Sequence, residues 1–71
     1  MSFPERLIQI KNDRKLLQKD IAAAVGLSVR AYQYYEKGQK EPTLSVLIRL
    51  SDFFNVSLDY LCGRSDDPTV H

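Results

Sequence analysis

Apolar residues recur along the chain at intervals of three and four, which is the spacing of one face of an α-helix. A first helix is predicted from about Pro4 to Arg14, because proline suits the first turn of a helix. Leu7 and Ile10 lie on one face of this helix, and Lys11 lies on the same face. Almost no stretch shows the alternation typical of a β-strand, so the pattern predicts an all-α fold.

Two short helices are predicted next, separated by only three residues. The second helix spans residues 18–25, and Gly26 ends it because glycine readily adopts a left-handed backbone conformation. Ser28 is a favourable N-cap for the third helix, which spans residues 28–37. So short a connection requires a sharp turn and predicts a positive φ at Gly26.

The third helix is predicted to have a core face and an outer face. Tyr32 and Tyr35 are expected to pack in the core with Ala31, as structural residues rather than as a stacking platform for single strands. The outer face is either an ordinary solvated surface or a recognition surface. It carries Val29, Arg30, Gln33 and Tyr34.

Two further helices are predicted in the second half of the chain. Thr43 is the expected N-cap of the fourth helix, and Ser57 is that of a short fifth helix, which Gly63 ends. Leu58 and Leu61 are expected to face the core. The predicted inner stripe of the fourth helix is Leu44, Leu47, Leu50, Ser51 and Phe54.

Length and composition fit one small globular domain. A chain of 71 residues with 44% hydrophobic and 27% charged residues has room for a single core and is unlike a disordered tail. We expect the domain to span residues 1–63 and residues 64–71 to form a flexible tail. Cys62 is the only cysteine, which excludes an internal disulfide and a cysteine-based zinc site. Since no apolar stretch has the length of a membrane span, we expect a cytoplasmic protein.

Charge is divided unevenly between the two halves. Residues 1–40 hold eight Lys and Arg against four Asp and Glu, and residues 41–71 hold two against five, which together give a net charge of +1. The division predicts a basic face that meets phosphates and a different role for the acidic half.

The residue types that catalysis needs do not occur together. His71 is the only histidine, Asp66 and Asp67 lie in the predicted tail, and the chain has no glycine-rich phosphate loop. We therefore expect no enzyme activity, cofactor, metal site or small-molecule site, and no membrane partner.

Residues 16–38 have the organisation of a helix-turn-helix, in which one helix lies across the DNA backbone and the next enters the major groove. The positions that carry this pattern are Gln18, Ile21, Ala22, Gly26, Leu27, Ser28, Tyr32, Tyr35, Glu36, Gly38, Pro42, Leu44, Leu47, Leu50 and residues 55–63. Over residues 5–62 the chain resembles the Cro-like, phage-repressor-type (XRE) helix-turn-helix regulators. The resemblance implies a lambda repressor-like fold and a transcriptional regulator, in particular a repressor that binds a palindromic operator of double-stranded DNA.

The resemblance also implies which residues meet DNA: Gln18, Lys19, Ser28, Val29, Arg30, Gln33, Tyr34, Lys37 and Lys40. Gln18 would meet a phosphate, and Lys37 and Lys40 would contact the backbone. The chemistry agrees, because an arginine such as Arg30 pairs with guanine and a glutamine such as Gln33 pairs with adenine.

Three further positions are singled out by the resemblance. Lys11 is expected to pair with Glu36 as a partly buried ion pair between the first and third helices, where arginine is the commoner cation. Leu17 stands where serine or threonine usually caps the second helix, and Lys15 stands where glycine is common. These departures bear on where the second helix begins.

A homodimer is expected, because one recognition helix reads too few base pairs and a two-fold pair reads two half-sites. The contact is expected in the acidic half, around Phe53, Val56 and Tyr60. The two aromatic residues have no obvious intramolecular use in the helical pattern, and the alternative is that Phe53 widens the core stripe of the fourth helix. Aromatic residues are common in interface cores.

A second function class remains open for the same fold. The helices could form a protein-interaction module, such as an antitoxin or a transcription-complex adaptor. Polar and basic groups on the outer face of the third helix favour nucleic acid, whereas a protein-only module would more often carry apolar or acidic residues there.

Overall fold

The computed structural model describes residues 1–70, and these form five α-helices without a β-strand. The helices are α1 (Phe3–Asp13), α2 (Gln18–Ala24), α3 (Val29–Glu36), α4 (Leu44–Phe54) and α5 (Leu58–Leu61). The predicted all-α, five-helix fold is confirmed, and the bounds of the first three helices agree with the prediction to within one residue. His71, which belongs to the predicted tail, lies outside the described residues.

The start of α1 is a capping box that the sequence reading missed. The Ser2 hydroxyl accepts a hydrogen bond from the Glu5 amide at 3.3 Å, and the Glu5 carboxylate accepts one from the Ser2 amide at 3.1 Å. A serine followed three residues later by a glutamate is the usual signal for this arrangement. The prediction began α1 at Pro4 because it gave weight to proline alone.

The three predicted N-caps are confirmed. The side chains of Ser28, Thr43 and Ser57 each accept a hydrogen bond from the amide three residues further on, at 3.1, 3.2 and 3.0 Å. Helix α2 differs because Leu17 has no acceptor in its side chain. There the Asp20 carboxylate accepts from the Leu17 amide at 3.1 Å, which is half of a capping box.

The core lies where the five helices meet. The predicted core residues Leu7 and Ile10 of α1 and Tyr32 and Tyr35 of α3 are in it, whereas Ala31 is only half-buried. Its buried apolar side chains are Leu7, Ile10, Ile21, Ala22, Val25, Tyr32, Tyr35, Val46, Leu50, Phe54, Val56 and Leu61. Tyr32 and Tyr35 are therefore core residues, as predicted. Within residues 1–70, no helix is long and apolar enough to cross a membrane.

Two leucines predicted to face the core are exposed instead. Leu44 is 67% exposed and Leu58 is 39% exposed. The inner stripe of α4 follows a spacing of four through Val46, Leu50 and Phe54, and Leu44 lies about 120° around the helix from Leu50. The prediction was wrong for Leu44 because it continued the stripe from Leu50 towards the start of α4 in steps of three, through Leu47 to Leu44. In the structure the step is four, to Val46.

Arg6 is 3% exposed and joins α1 to the end of the chain. Its Nε donates to the Tyr60 carbonyl at 2.8 Å, and its two terminal nitrogens donate to Gln9 Oε1 at 2.7 Å and to the Ser65 carbonyl at 3.0 Å. The guanidinium also lies 3.8 Å from the centroid of the Tyr60 ring, and Asp66 is 3.5 Å from Arg6. We call these five residues the Arg6 cluster.

Residues after α5 make further contacts with the domain. The Ser57 amide donates to the Pro68 carbonyl at 3.0 Å, close to the start of α5. The flexible tail over residues 64–71 stays a prediction, and these bonds indicate where its first part lies against the domain.

Candidate nucleic-acid interface

The turn between α2 and α3 is built around Gly26, whose φ is +74° as predicted. The Leu27 amide donates to the Ala22 carbonyl at 2.8 Å, which ends α2, and Ser28 then caps α3. The Arg49 guanidinium of α4 donates to the Val25 carbonyl at 3.3 Å and so places a cation at the C-terminal end of α2. The turn between α2 and α3 is therefore held by local bonds on both sides of Gly26 and by one bond from α4.

The outer face of α3 presents the predicted recognition residues to solvent. Val29 and Arg30 are exposed, and Gln33 and Tyr34 are half-buried. Arg30 Nε donates to the Tyr34 hydroxyl at 3.1 Å, one helical turn away. This bond uses Nε, so the two terminal nitrogens of Arg30 remain as a fork of donors of the kind that pairs with guanine.

Four polar side chains form a continuous network from α1 to this face. Lys11 Nζ donates to Glu36 Oε1 at 3.0 Å, which confirms the predicted ion pair. Gln18 Nε2 donates to the same Glu36 oxygen at 3.1 Å, and Gln33 Nε2 donates to Gln18 Oε1 at 2.9 Å. We call Lys11, Glu36, Gln18 and Gln33 the polar network; it runs from the core side of α3 to its outer face.

Glu36 is the buried anion of the polar network. Burial alone would raise the pKa of its carboxyl, but hydrogen bonds from Tyr32, Lys11 and Gln18, with the charge of Lys11, outweigh burial and lower that pKa. The same interaction acts on the other partner, because burial together with the neighbouring Glu36 carboxylate raises the pKa of Tyr32. Glu36 is consequently ionised at neutral pH.

Basic side chains flank the outer face of α3. Lys19 lies in the first turn of α2, Lys37 follows α3 and Lys40 lies in the loop before α4, and all three are exposed. No carboxylate within residues 1–70 lies at ion-pair distance from them or from Arg30. Their charges are therefore available to an anionic partner.

The fold brings most of the predicted DNA-binding residues into one region. Gln18, Ser28, Arg30 and Gln33 lie on the two helices of the helix-turn-helix or at their ends, and the lysines lie around them. The sequence reading placed Gln18 against a phosphate and missed its bonds to Glu36 and Gln33. The signal that could have predicted the bond to Gln33 was the presence of two glutamines, one on each helix of the helix-turn-helix, on either side of a three-residue turn.

Residues of the predicted dimer contact fall in different environments. Phe53 is 39% exposed, with its ring 5.3 Å from that of Phe54. Tyr60 is half-buried and has an intramolecular role after all, since its ring lies against Arg6. Val56 is 2% exposed and packs in the core, which leaves little of its side chain for a second copy, and its place in the contact stays a prediction.

The sequence model of the helix-turn-helix family matches residues 7–61. The chain is 36% identical to the HTH-type transcriptional regulator YobD of Bacillus subtilis (strain 168), over 93% of this chain and 59% of YobD. It is 34% identical to the cryptic phage CTXphi transcriptional repressor RstR of Vibrio cholerae, over 90% of this chain and 57% of RstR. The chain thus spans somewhat more than half the length of these curated relatives.

A solved structure with the same fold contains DNA. The P22 c2 repressor, crystallised with a synthetic operator, superposes with a TM-score of 0.84 at 28% identity, over 92% of this chain and 98% of that one. The five-helix arrangement described above is therefore that of a phage repressor DNA-binding domain.

Proposed function

The chain belongs to the helix-turn-helix family of the XRE, phage-repressor type, and on that premise we propose that it binds a specific operator in double-stranded DNA to regulate transcription, as a repressor. The observation that carries this proposal is the outer face of α3, where Arg30 and Gln33 present donors and acceptors beside lysines without a carboxylate partner. That RstR is a repressor and that P22 c2 was crystallised on an operator support it.

Sequence readout would come from the first two turns of α3. In the major groove, Arg30 would donate to the O6 and N7 of guanine, Gln33 would pair with adenine, and Val29 would touch a thymine methyl group. The Tyr34 hydroxyl supports Arg30 from one turn further along the helix. These contacts would specify the operator.

Affinity that does not depend on sequence would come from phosphate contacts. The exposed Lys19, Lys37 and Lys40 would neutralise phosphates, with Gln18 and Ser28 as neutral donors. Each neutralised phosphate releases counterions, so binding should weaken steeply as the salt concentration rises.

The test is to select bound duplexes from a random pool and to measure two variants on the selected site. Arg30→Ala should weaken binding by roughly 1–3 kcal/mol on the preferred duplex and relax one base position. Lys40→Ala, the matched control, should weaken all duplexes alike and reduce the salt dependence. Equal binding of selected and scrambled duplexes at moderate salt would contradict the proposal and favour the protein-interaction module.

We further propose that two copies bind a palindromic operator, with half-sites about 34 Å apart. The proposed contact lies near Phe53, which is exposed apolar surface in the acidic half of the chain, and beside the outer edge of Tyr60. Phe53→Asp should abolish pairing on operator DNA in sedimentation experiments. Leu44→Asp is the control, because it puts the same charge on another exposed apolar position of α4. Pairing that survives Phe53→Asp would exclude this contact.

A further inference from the structure

The hydrogen bonds of the polar network can run in only one direction. An ionised carboxylate accepts hydrogen bonds and donates none. The Gln18 atom that lies 3.1 Å from Glu36 must therefore be the amide nitrogen, which leaves Gln18 Oε1 facing α3. That oxygen accepts in turn, so the Gln33 atom 2.9 Å away must also be an amide nitrogen.

We propose that Glu36 is a positioning residue for base recognition, which orients the amide of Gln33 through Gln18 and thereby makes the protein prefer adenine to guanine at the base that Gln33 reads. The proposal rests on the DNA-binding function proposed above. It assigns to a buried ion pair a role in sequence choice in addition to its role in the fold.

The preference follows from the hydrogens that Gln33 has left. Its amide nitrogen carries two hydrogens, and the bond to Gln18 uses one of them. One N–H donor and the Oε1 acceptor remain, which match N7 and the N6 amino group of adenine. Guanine presents two acceptors, O6 and N7, on the same edge. A glutamine that meets both must donate both hydrogens, and the bond to Gln18 prevents this.

Glu36 is suited to this role because it is held in place and does not itself meet the groove. Its side chain is buried between α1 and α3, and its Oε1 accepts from Lys11 as well as from Gln18. Both donors converge on Oε1, so a change at this single atom would be transmitted to Gln18 and onward. The lowered pKa of Glu36 keeps that oxygen an acceptor across the neutral range.

The experiment compares two duplexes that differ only in whether adenine or guanine stands at the Gln33 position. Gln33→Ala first identifies that position as the one where the preference disappears. The wild-type protein should prefer adenine by roughly tenfold, within the range for one bidentate pair. Glu36→Gln should reduce the preference several-fold, because a neutral amide can donate as well as accept and no longer dictates the orientation of Gln18.

Lys11→Met separates the positioning role from stability. It breaks the ion pair and weakens the fold, but it leaves the Glu36 side chain and its bond from Gln18 in place, so the adenine preference should persist. If Glu36→Gln does not fold, Gln18→Met carries the test, since it interrupts the polar network and leaves the ion pair intact. It should lower affinity for both duplexes and reduce the adenine preference.

An unchanged adenine preference in folded Glu36→Gln or in Gln18→Met would overturn the proposal. So would a loss of preference in Lys11→Met as large as that in Glu36→Gln, because the effect would then be one of stability alone. If the wild-type protein selects no duplex at all, it is the proposed function that fails. If it selects one and only Gln33→Ala changes the adenine position, DNA reading stands and the role of Glu36 is wrong.

Discussion

Helix α1 carries two cations, Arg6 and Lys11, that the fold holds in different ways. Arg6 is fixed by backbone carbonyls of Tyr60 and Ser65 and by an aromatic ring, and its carboxylate neighbour Asp66 is exposed. Lys11 is fixed by the carboxylate of Glu36, which holds the amide of Gln18. Arg6 is bound by backbone carbonyls, whereas Lys11 is connected through the side chains of the polar network to the outer face of α3.

The two side chains suit these roles chemically. A guanidinium has five N–H donors in a rigid plane, so one Arg6 can satisfy several carbonyls and stack on Tyr60 as well. An ammonium is a compact charge that pairs with one carboxylate, so Glu36 keeps capacity to accept from Gln18. The Arg6 cluster should therefore matter for the fold alone, and the polar network for both the fold and recognition.

The largest effect is expected at the Arg6 cluster. Arg6→Met should lower the free energy of unfolding by about 3 kcal/mol, because the Tyr60 and Ser65 carbonyls lose their donor and the ring loses its cation. Urea denaturation measures this loss. Arg6→Lys is the control and should recover part of it, since it restores the charge without the fork. If either variant preferred a different duplex, the Arg6 cluster would affect recognition as well as the fold, and the contrast with the polar network would not hold.

Glu36→Gln should have the next largest effect, about 2 kcal/mol at neutral pH, because Lys11 then lies partly buried without its anion. Since the folded pKa of Glu36 is lowered, the stability it contributes is present above its ordinary pKa of 4.5 and is lost as the pH falls through the folded value. Denaturation of both proteins at several pH values should show their difference shrinking in acid. A constant difference would contradict the lowered pKa.

Gly26→Val tests the turn that positions the recognition end. A β-branched residue is strained at a φ of +74°, and its Cβ would lie 3.4 Å from the Arg49 guanidinium. The expected loss of stability is about 1 kcal/mol or more, with Gly26→Ala affected less. Thermal melting measures both variants. An unchanged melting temperature for Gly26→Val would contradict the conformation of this turn.

The smallest expected effect is a gain in stability, at Lys15. Lys15 has a φ of +56° just after α1, in the left-handed region that costs most residues free energy. Lys15→Gly should raise stability by about 0.5 kcal/mol, and Lys15→Ala, which removes the charge but keeps Cβ, should not. If the two variants are equally stable, charge rather than backbone conformation sets the behaviour of this position.

Local signals predicted most of the architecture. Ser28, Thr43 and Ser57 mark helix starts because their hydroxyls bond to amides only three residues away. The resemblance predicted the Lys11–Glu36 pair and singled out Lys15, which has a positive φ. The inner stripe of α4 was less well predicted, because consecutive apolar residues such as 46–48 fit more than one phase of a helix and only packing selects one.

The sequence by itself determined where the chain forms helices and where it turns, since caps, glycines and apolar spacing act over a few residues. Apart from the Lys11–Glu36 pair, which the resemblance implied, only the tertiary structure decided which polar groups meet across the helices. Arg6 reaches a carbonyl 54 residues away, and Gln18 meets Glu36 and Gln33 at separations of 18 and 15 residues. Such contacts depend on how whole helices pack against one another, so the residue pattern within any one helix does not specify them. The burial of Val56, which lies between α4 and α5, depends on packing in the same way.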